Sequence, residues 1–313
     1  ILSEAKSSTK ISLIRKGDSK KVNEILNKIK NSEISGIIMC GVNPVYTLPN
    51  SNIFLDSLSK LELSLNISMK MDETTSSCKY VAAASHYLES WGDFQFVNGE
   101  YSICQPTIKT LFDTRQFDEC LLKWSGNNTP LYDVLKDNWN SNILESNFSW
   151  NKAIHDGVYS VKDNFKPKLV NIDFSDSVKK LIDYKVEGFE LCLYSKIGMG
   201  DGQQANNPWL QEFPDPISRV SWDNYLTISK KDAESIGLKN YNESNGALNS
   251  NYAIVSLGDS QLKLPVLIQP GQTNGTVGIS FGYGRSLGLK DEMMTGSNAF
   301  MLYKNFSKVQ DVK

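Results

Sequence analysis

Histidine is the scarcest chemically useful residue in this sequence: His86 and His155 are the only two among 313 residues. Each has a carboxylate close by, Glu89 and Asp156, yet a Ser-His-Asp triad or a hydrolytic zinc site requires further partners that sequence alone cannot place. Cys40, Cys78, Cys104, Cys120 and Cys192 are widely scattered, without the close pairs or runs that hold zinc or an iron–sulfur cluster. Their odd number argues against a complete disulfide framework, and they read as small buried apolar residues. An excess of one charge is also missing. Thirty-three basic against thirty-five acidic residues leave a net charge of −2, which removes the electrostatic reason for binding nucleic acid or anionic lipid. Membrane spans are not expected. Ile1 to Lys10 is polar and has no charged-then-apolar export pattern, so the sequence is expected to start after processing or, preferably, partway through a longer polypeptide.

What is present suits a globular protein with room for two domains, since 40% of residues are hydrophobic and 22% charged. Ile11 to Ile14 has strand character. Val22, Ile25, Leu26 and Ile29 recur at helical spacing after Ser19, Gly36 to Gly41 reads as a strand, Ser51 to Lys60 as a helix and Leu61 to Ile67 as another strand. This alternation predicts an open parallel α/β sheet, whose ligands sit off the carboxyl ends of its strands. The turn Gly41-Val42-Asn43-Pro44 lies at such an end and serves equally well as a plain strand-ending turn. A short buried segment, Tyr80 to Ala84, then delivers His86 to Asp93, and Phe94 to Gln105 suits a hairpin turning through Asn98-Gly99. Helices are expected at Ile108 to Leu111, Phe117 to Trp124, Leu131 to Trp139 and Trp150 to Gly157, followed by a linker containing the Asn164 to Pro167 turn and Asp173 to Lys180. Glu187 to Tyr194 enters as a strand.

Between Lys196 and Ser229 the character changes. Gly198, Gly200 and Gly202 admit backbone angles closed to other residues, while Pro208, Pro214 and Pro216 fix φ and remove amide donors, so an ordered irregular loop is predicted. Trp209 and Trp222 are costly to leave in water, and the expectation is that they plug a domain joint or a partner surface. Beyond the joint, Tyr225 to Ile228, Tyr252 to Val255, Leu262 to Gln269 and Thr276 to Phe281 are short strands separated by Gly- and Asn-rich turns, which suggests a small barrel. Gly271, Gly275, Gly278, Gly282 and Gly284 suit either a phosphate cradle or tight barrel corners.

Three ordered blocks carry a family resemblance. Gly200-Asp201-Gly202, Ala205 to Glu212, Pro214-Asp215-Pro216-Ile217 and Trp222 to Tyr225 form the first; His86 to Asp93 with Gln105 to Ile108 the second; His155-Asp156-Gly157 the third. Together they closely resemble the B-subunit (ActB) family of bacterial alternative complex III, over residues 40 to 285. The resemblance implies a molybdopterin oxidoreductase (DMSO reductase-like) α/β domain over residues 1–185, a joint at 186–214 and a double-psi β-barrel, similar to the molybdopterin dinucleotide-binding barrel, over 215–313. It also implies a structural portion that has lost its cofactor, with no catalytic and no metal-binding residues.

Iron–sulfur clusters are then expected in an adjoining segment. The implied partners are multihaem cytochrome c and quinol-oxidising membrane subunits, in an assembly passing electrons from quinol toward cytochrome c or an oxidase on the periplasmic side of the inner membrane. Residues of the former pocket would be Asn43, Pro44, Glu89, Asp93, Asn206 and Asn207; assembly contacts would be Trp209, Gln211, Glu212 and Trp222. The alternative is part of an active molybdopterin guanine dinucleotide-dependent oxidoreductase containing molybdenum, with the same asparagines beside the nucleotide. Under either view Glu89, Asp93, His86 and His155 are not expected to converge on a metal or a nucleophile.

Overall fold

A computed structural model describes residues 18–97, 99–161, 173–183 and 188–313. The expectations for Ile1 to Ile14, Asn98, Asn164 to Pro167 and Glu187 lie outside these residues. Near the start, the Asp18 carboxylate accepts from the Lys20 and Lys21 amides and caps helix α1 (Ser19–Lys30). Lys28 and Lys30 complement its carboxyl end. The helix buries Ile29 and packs Val22 and Leu26 against Met39, Phe54, Leu58 and Leu61. Those residues come from β1 (Gly36–Cys40), α3 (Ser51–Leu58) and the approach to β2 (Leu63–Ser68), with the single-turn α2 (Pro44–Thr47) between β1 and α3.

Strands β1, β2 and β3 (Tyr80–Ala83) form a three-stranded parallel sheet in that order. The third strand departs from expectation. Tyr80 is 57% and Val81 45% exposed, because β3 is the edge strand of its sheet and is met on its free side only at its end, where the Arg115 amide donates to the Ala83 carbonyl at 3.1 Å.

A second, antiparallel sheet consists of β4 (Gly92–Val97), β5 (Glu100–Cys104) and β6 (Val158–Ser160). Its core is aromatic: Trp139, Trp150 and Tyr159 are buried with Ala153 beneath α5 (Leu131–Asn138) and α6 (Trp150–Asp156). Ser149 caps α6, and Gly157, at φ +72°, ends it in the left-handed conformation that favours glycine. α4 (Phe117–Trp124) starts from a reciprocal cap between Gln116 and Glu119. The helix expected at Ile108 to Leu111 is absent. Its amides are drawn elsewhere, Ile108 to the Leu88 carbonyl and Leu111 to the Glu89 carboxylate. Conversely, part of the expected linker is helical, as α7 (Ser175–Asp183).

The final sheet has six strands: β7 (Phe189–Tyr194), β8 (Leu226–Ile228), β11 (Tyr252–Leu257), β12 (Ser260–Ile268), β13 (Thr276–Ser280) and β14 (Val309–Val312). Their order is β11-β12-β8-β13-β7-β14. Ser256 and Lys313 exchange backbone hydrogen bonds at 2.8 and 3.1 Å, which joins the two outer strands and closes the sheet on itself. Leu191, Leu193, Ile228, Leu264, Val266 and Ile279 fill the interior. β7 falls within the expected joint at 186–214 yet belongs to this sheet, because alternate Leu191 and Leu193 complete its core. α8 (Pro208–Glu212) lies in the joint, α9 (Lys230–Ser235) follows β8 behind a Ser229 cap, and β9 (Asn240–Asn242) pairs with β10 (Leu248–Ser250) as an outer hairpin.

Candidate functional site

The carboxyl ends of all three parallel strands open into one cleft of about 1200 Å³. Cys40 to Asn43 complete and follow β1, Ile67 to Lys70 complete and follow β2, and Ala84 and Ser85 follow β3. This is the edge at which open α/β sheets take ligands. Its lining includes the apolar Trp91, Phe94, Leu121 and Leu135 and the polar or charged Lys70, Asp72, Asp201, Gln203 and Arg285. Burial pushes the Cys40 thiol up, and Asp118 and Cys120 add to the effect, so its thiolate is disfavoured.

At the polar end, groups from distant parts of the chain saturate one another. Glu73 receives the Arg285 Nε at 2.9 Å on both carboxylate oxygens and the Asn43 amide at 2.7 Å. The Ser286 and Leu287 amides reach the same carboxylate at 2.7 and 3.2 Å. Burial alone would raise the Glu73 pKa, but Arg285, the Ser286 amide and Asn43 together hold it at about 2. Asn43 Oδ1 accepts from the Thr74 amide and hydroxyl at 3.1 and 2.7 Å. Arg285 also donates to the Gly202 carbonyl at 2.6 Å and lies 5.0 Å from the Tyr46 ring centroid. The Tyr46 hydroxyl donates to the Tyr283 carbonyl at 2.7 Å. Lys70 donates to the Gln203 carbonyl at 2.5 Å and to Asn206 Oδ1 at 2.6 Å.

These bonds clamp the parallel-sheet layer to the loops around residues 202 and 285. The close approach depends on glycine. A Cβ on Gly284, φ +69°, would lie 2.2 Å from the Asn298 nitrogen, and one on Gly202, φ +86°, 3.1 Å from the Gly282 carbonyl oxygen and from the Tyr46 ring. Gly284 therefore makes a tight corner filled by backbone.

Of the residues singled out from sequence, Asn43 and Asp93 line the cleft. Asp93 accepts from the Trp139 indole at 2.8 Å. Pro44 opens α2 outside the lining. Glu89 accepts from the His86 and Leu111 amides and fastens its own loop. Asn206 reaches the cleft through Lys70, whereas Asn207 caps α8 at the Trp209 amide. Gln211 is only 2% exposed and donates to the Ala205 and Met293 carbonyls, so it holds the loop from within rather than meeting a partner. Trp222, at φ +75°, is tied by its backbone to Gln211 and Thr295.

Trp209 plugs no internal joint. It is 80% exposed because α8 faces Gln211 inward and turns Trp209 and Phe213, four residues apart, outward with the exposed Glu212 beside them. His86 accepts from the Leu88 amide and His155 pairs with Asp156, so the two histidines serve separate local contacts. Among the described residues, no group of three metal-ligating side chains is placed to hold an ion. Glu73, Arg285, Tyr46 and Lys70 escaped the sequence reading. The one signal was a lone arginine set in the glycine-dense Gly282-Tyr-Gly-Arg-Ser-Leu-Gly288.

Comparisons with known proteins extend this picture. No protein-family profile matches the chain. The menaquinone reductase molybdopterin-binding-like subunit of Nitratidesulfovibrio vulgaris is 23% identical over 257 residues, covering 78% of this chain and 35% of that protein. The assimilatory nitrate reductase catalytic subunit of Bacillus subtilis is 31% identical over 80 residues, 26% of this chain and 11% of that protein. Among solved structures, acetylene hydratase from Pelobacter acetylenicus superposes with a TM-score of 0.58 at 14% identity, over 89% of this chain and 42% of its own. The chain thus spans about a third of the first relative's length. Similarity of sequence and of backbone converge on one description: a mixed α/β chain with a molybdopterin oxidoreductase-like fold.

Proposed function

We propose that this chain is the cofactor-free structural portion of a subunit in a quinone-linked respiratory complex, with alternative complex III as the specific assembly. The closed six-stranded sheet is read as the double-psi barrel of that fold, and the domains as residues 1–185 and 215–313 with β7 added to the second. One observation carries the cofactor-free reading: the polar side chains best placed to grip a pterin nucleotide, Asn43, Lys70 and Arg285, are each engaged by protein atoms. Among the described residues, the buried side-chain polar atoms without a partner are Asn66 Oδ1 and Ser280 Oγ, and neither residue lines the cleft. In this reading a nucleotide would have to break the clamp to reach Asn43, Lys70 or Arg285.

Electron carriers would lie outside the chain, as iron–sulfur clusters in an adjoining segment and as haem in a multihaem cytochrome c partner. Attachment to quinol-oxidising membrane subunits, on the periplasmic side of the inner membrane, would run through protein contacts. Among the described residues no helix is long and apolar enough to cross a membrane. Ile197, Trp209, Phe213 and Ile217 supply the contact surface in this reading, being 83%, 80%, 54% and 76% exposed on one loop.

The deciding measurement is molybdenum and pterin content of the intact purified protein, expected to be absent in both cases. The alternative, part of an active molybdopterin guanine dinucleotide-dependent oxidoreductase, is favoured by the size of the open cleft, about 1200 Å³. Stoichiometric molybdenum and pterin in the protein would establish it and remove the scaffold reading.

A further inference from the structure

Lys196 is a charged residue in an unusual setting. It leaves the end of β7 and is only 7% exposed, at the root of the loop that carries the apolar surface. Its Nζ lies 4.2 Å from the Tyr225 ring centroid and 5.2 Å from that of Tyr283. An ammonium has three donors, yet the contact here is a single long one, 3.5 Å to the Asp223 carbonyl. Asp215 lies beyond ion-pairing reach of Lys196, and its Oδ1 accepts from the Ile217 amide, the Ser218 amide and the Ser218 hydroxyl. The Tyr225 hydroxyl is held by Ser218. Tyr194 completes the surroundings from β7, under the influence of Tyr225, Asp215 and Tyr283. The side chain thus spans the base of a closed loop, joining residue 196 to residues 223 and 225, with its charge facing rings more than acceptors.

We propose that Lys196 is a proton-linked pin at the base of the 197–222 loop: its side chain seats against Tyr225 and Tyr283 more firmly as its proton is lost, so alkaline conditions tighten the base of the docking surface and neutral conditions loosen it. When the side chain leaves this pocket the amine reaches water and keeps its proton; seated, it is in a place where burial disfavours the ammonium more than the two rings and the distant carboxylates favour it. Consistent with that balance, burial lowers the Lys196 pKa to about 8, with Asp215 and Asp223 acting in the opposite sense. Burial moves the Tyr194, Tyr225 and Tyr283 phenols upward, away from neutrality. Burial raises Asp223, whereas the Ser218 and Ile217 amides and the Ser218 hydroxyl outweigh burial and lower Asp215. Lys196 is therefore the basic member of the cluster, brought down toward neutrality by its burial.

The regulatory meaning rests on the docking reading above, but the device itself is tested without any partner. Hydrogen exchange of loop peptides is followed in the intact protein at pH 7 and pH 9, with each variant measured at the same pH so that intrinsic exchange rates cancel. Wild-type protection relative to Lys196→Met should rise on the order of tenfold between the two, the change expected for a group moved from its ordinary pKa to about 8. Lys196→Met, neutral at both values, should keep its protection. Lys196→Arg, charged at both, should stay at the low-pH level and decides the matter if the methionine variant fails to fold. Parallel pH responses in wild type and either variant overturn the pin. Loss of partner binding in Trp209→Ala with no pH response in the loop would leave the docking surface standing and remove only Lys196.

Discussion

The polar corner of the cleft and the 197–222 loop handle their functional groups in opposite ways, although Gly202 and Arg285 bring them into contact. At the corner, Glu73, Arg285, Asn43 and Thr74 turn inward and satisfy one another. On the loop, Ile197, Trp209 and Ile217 turn outward with nothing over them among the described residues. A buried polar network fixes geometry, since each member left alone would pay its desolvation in full. An uncovered set of large apolar side chains contributes little to the isolated fold and acquires value when a partner removes it from water. One region therefore specifies the chain's own architecture, and the other is available to something else.

The sharpest way to break the comparison is to leave one charge of the clamp alone. Arg285→Met should destabilise the protein by about 3–5 kcal/mol in equilibrium urea unfolding, because the Glu73 carboxylate remains buried without its cation. Replacing both, as Glu73→Gln with Arg285→Met, should recover part of that loss; strict additivity of the two single effects would mean that the pair is not coupled. A smaller loss, about 1–3 kcal/mol, is expected for Tyr46→Phe, which orphans the buried Tyr283 carbonyl. The cost of Gln211→Ala should be of the same order, since the Ala205 and Met293 carbonyls lose their donor, despite its position beside exposed Trp209.

The two regions also respond to pH at opposite ends of the scale. The Glu73 pKa falls from its ordinary 4.5 to about 2 in the fold, so its contribution is complete above 4.5 and drains away as pH drops toward 2. Lys196 falls from 10.5 to about 8; the unfolded chain then holds the extra proton between these values, and stability should climb as pH rises through that window. Tyr225 opposes the climb, because its phenol rises from 10.0 to about 12 and folding resists its ionisation above 10. Melting temperature against pH should thus fall steeply in acid and peak on the alkaline side of neutrality. A monotonic decline from pH 7 to pH 10 would contradict the Lys196 assignment.

Local pattern carried much of the fold. The 3.6-residue spacing of Val22, Leu26 and Ile29 marks α1, and alternation in Leu262 to Gln269 marks β12, because each element's core face repeats with its own period. The turn at Asn43 was legible as a strand end and lies at the cleft. What escaped depends on contacts between remote positions: Glu73 and Arg285 are 212 residues apart, and no local spacing records such a pair. Edge position was equally hidden, so an apolar Tyr80 to Ala84 read as buried when its strand lies at the rim. The orientation of α8 was the costliest miss. A five-residue helix has too few turns to show which face is apolar, and both Trp209 and Gln211 are plausible inside; the carbonyls waiting at Ala205 and Met293 settle it in favour of glutamine.

That orientation yields the prediction with the smallest effect on the fold and the greatest bearing on what the loop is for. Trp209→Ala removes an 80% exposed side chain whose backbone amide remains capped by Asn207, so unfolding free energy should change by less than about 0.5 kcal/mol. If the loop docks another subunit, the same substitution should weaken association by about 2 kcal/mol or more, roughly thirtyfold, in a direct titration against the purified remainder of the complex. Gln211→Ala should give the reverse ratio, a loss of stability with association reduced only as far as the loop loosens. The pair separates a surface from its support. Unchanged association in Trp209→Ala, with folding equally unchanged, would leave the exposed tryptophan without a role in assembly and return the search for the contact surface to the rest of the fold.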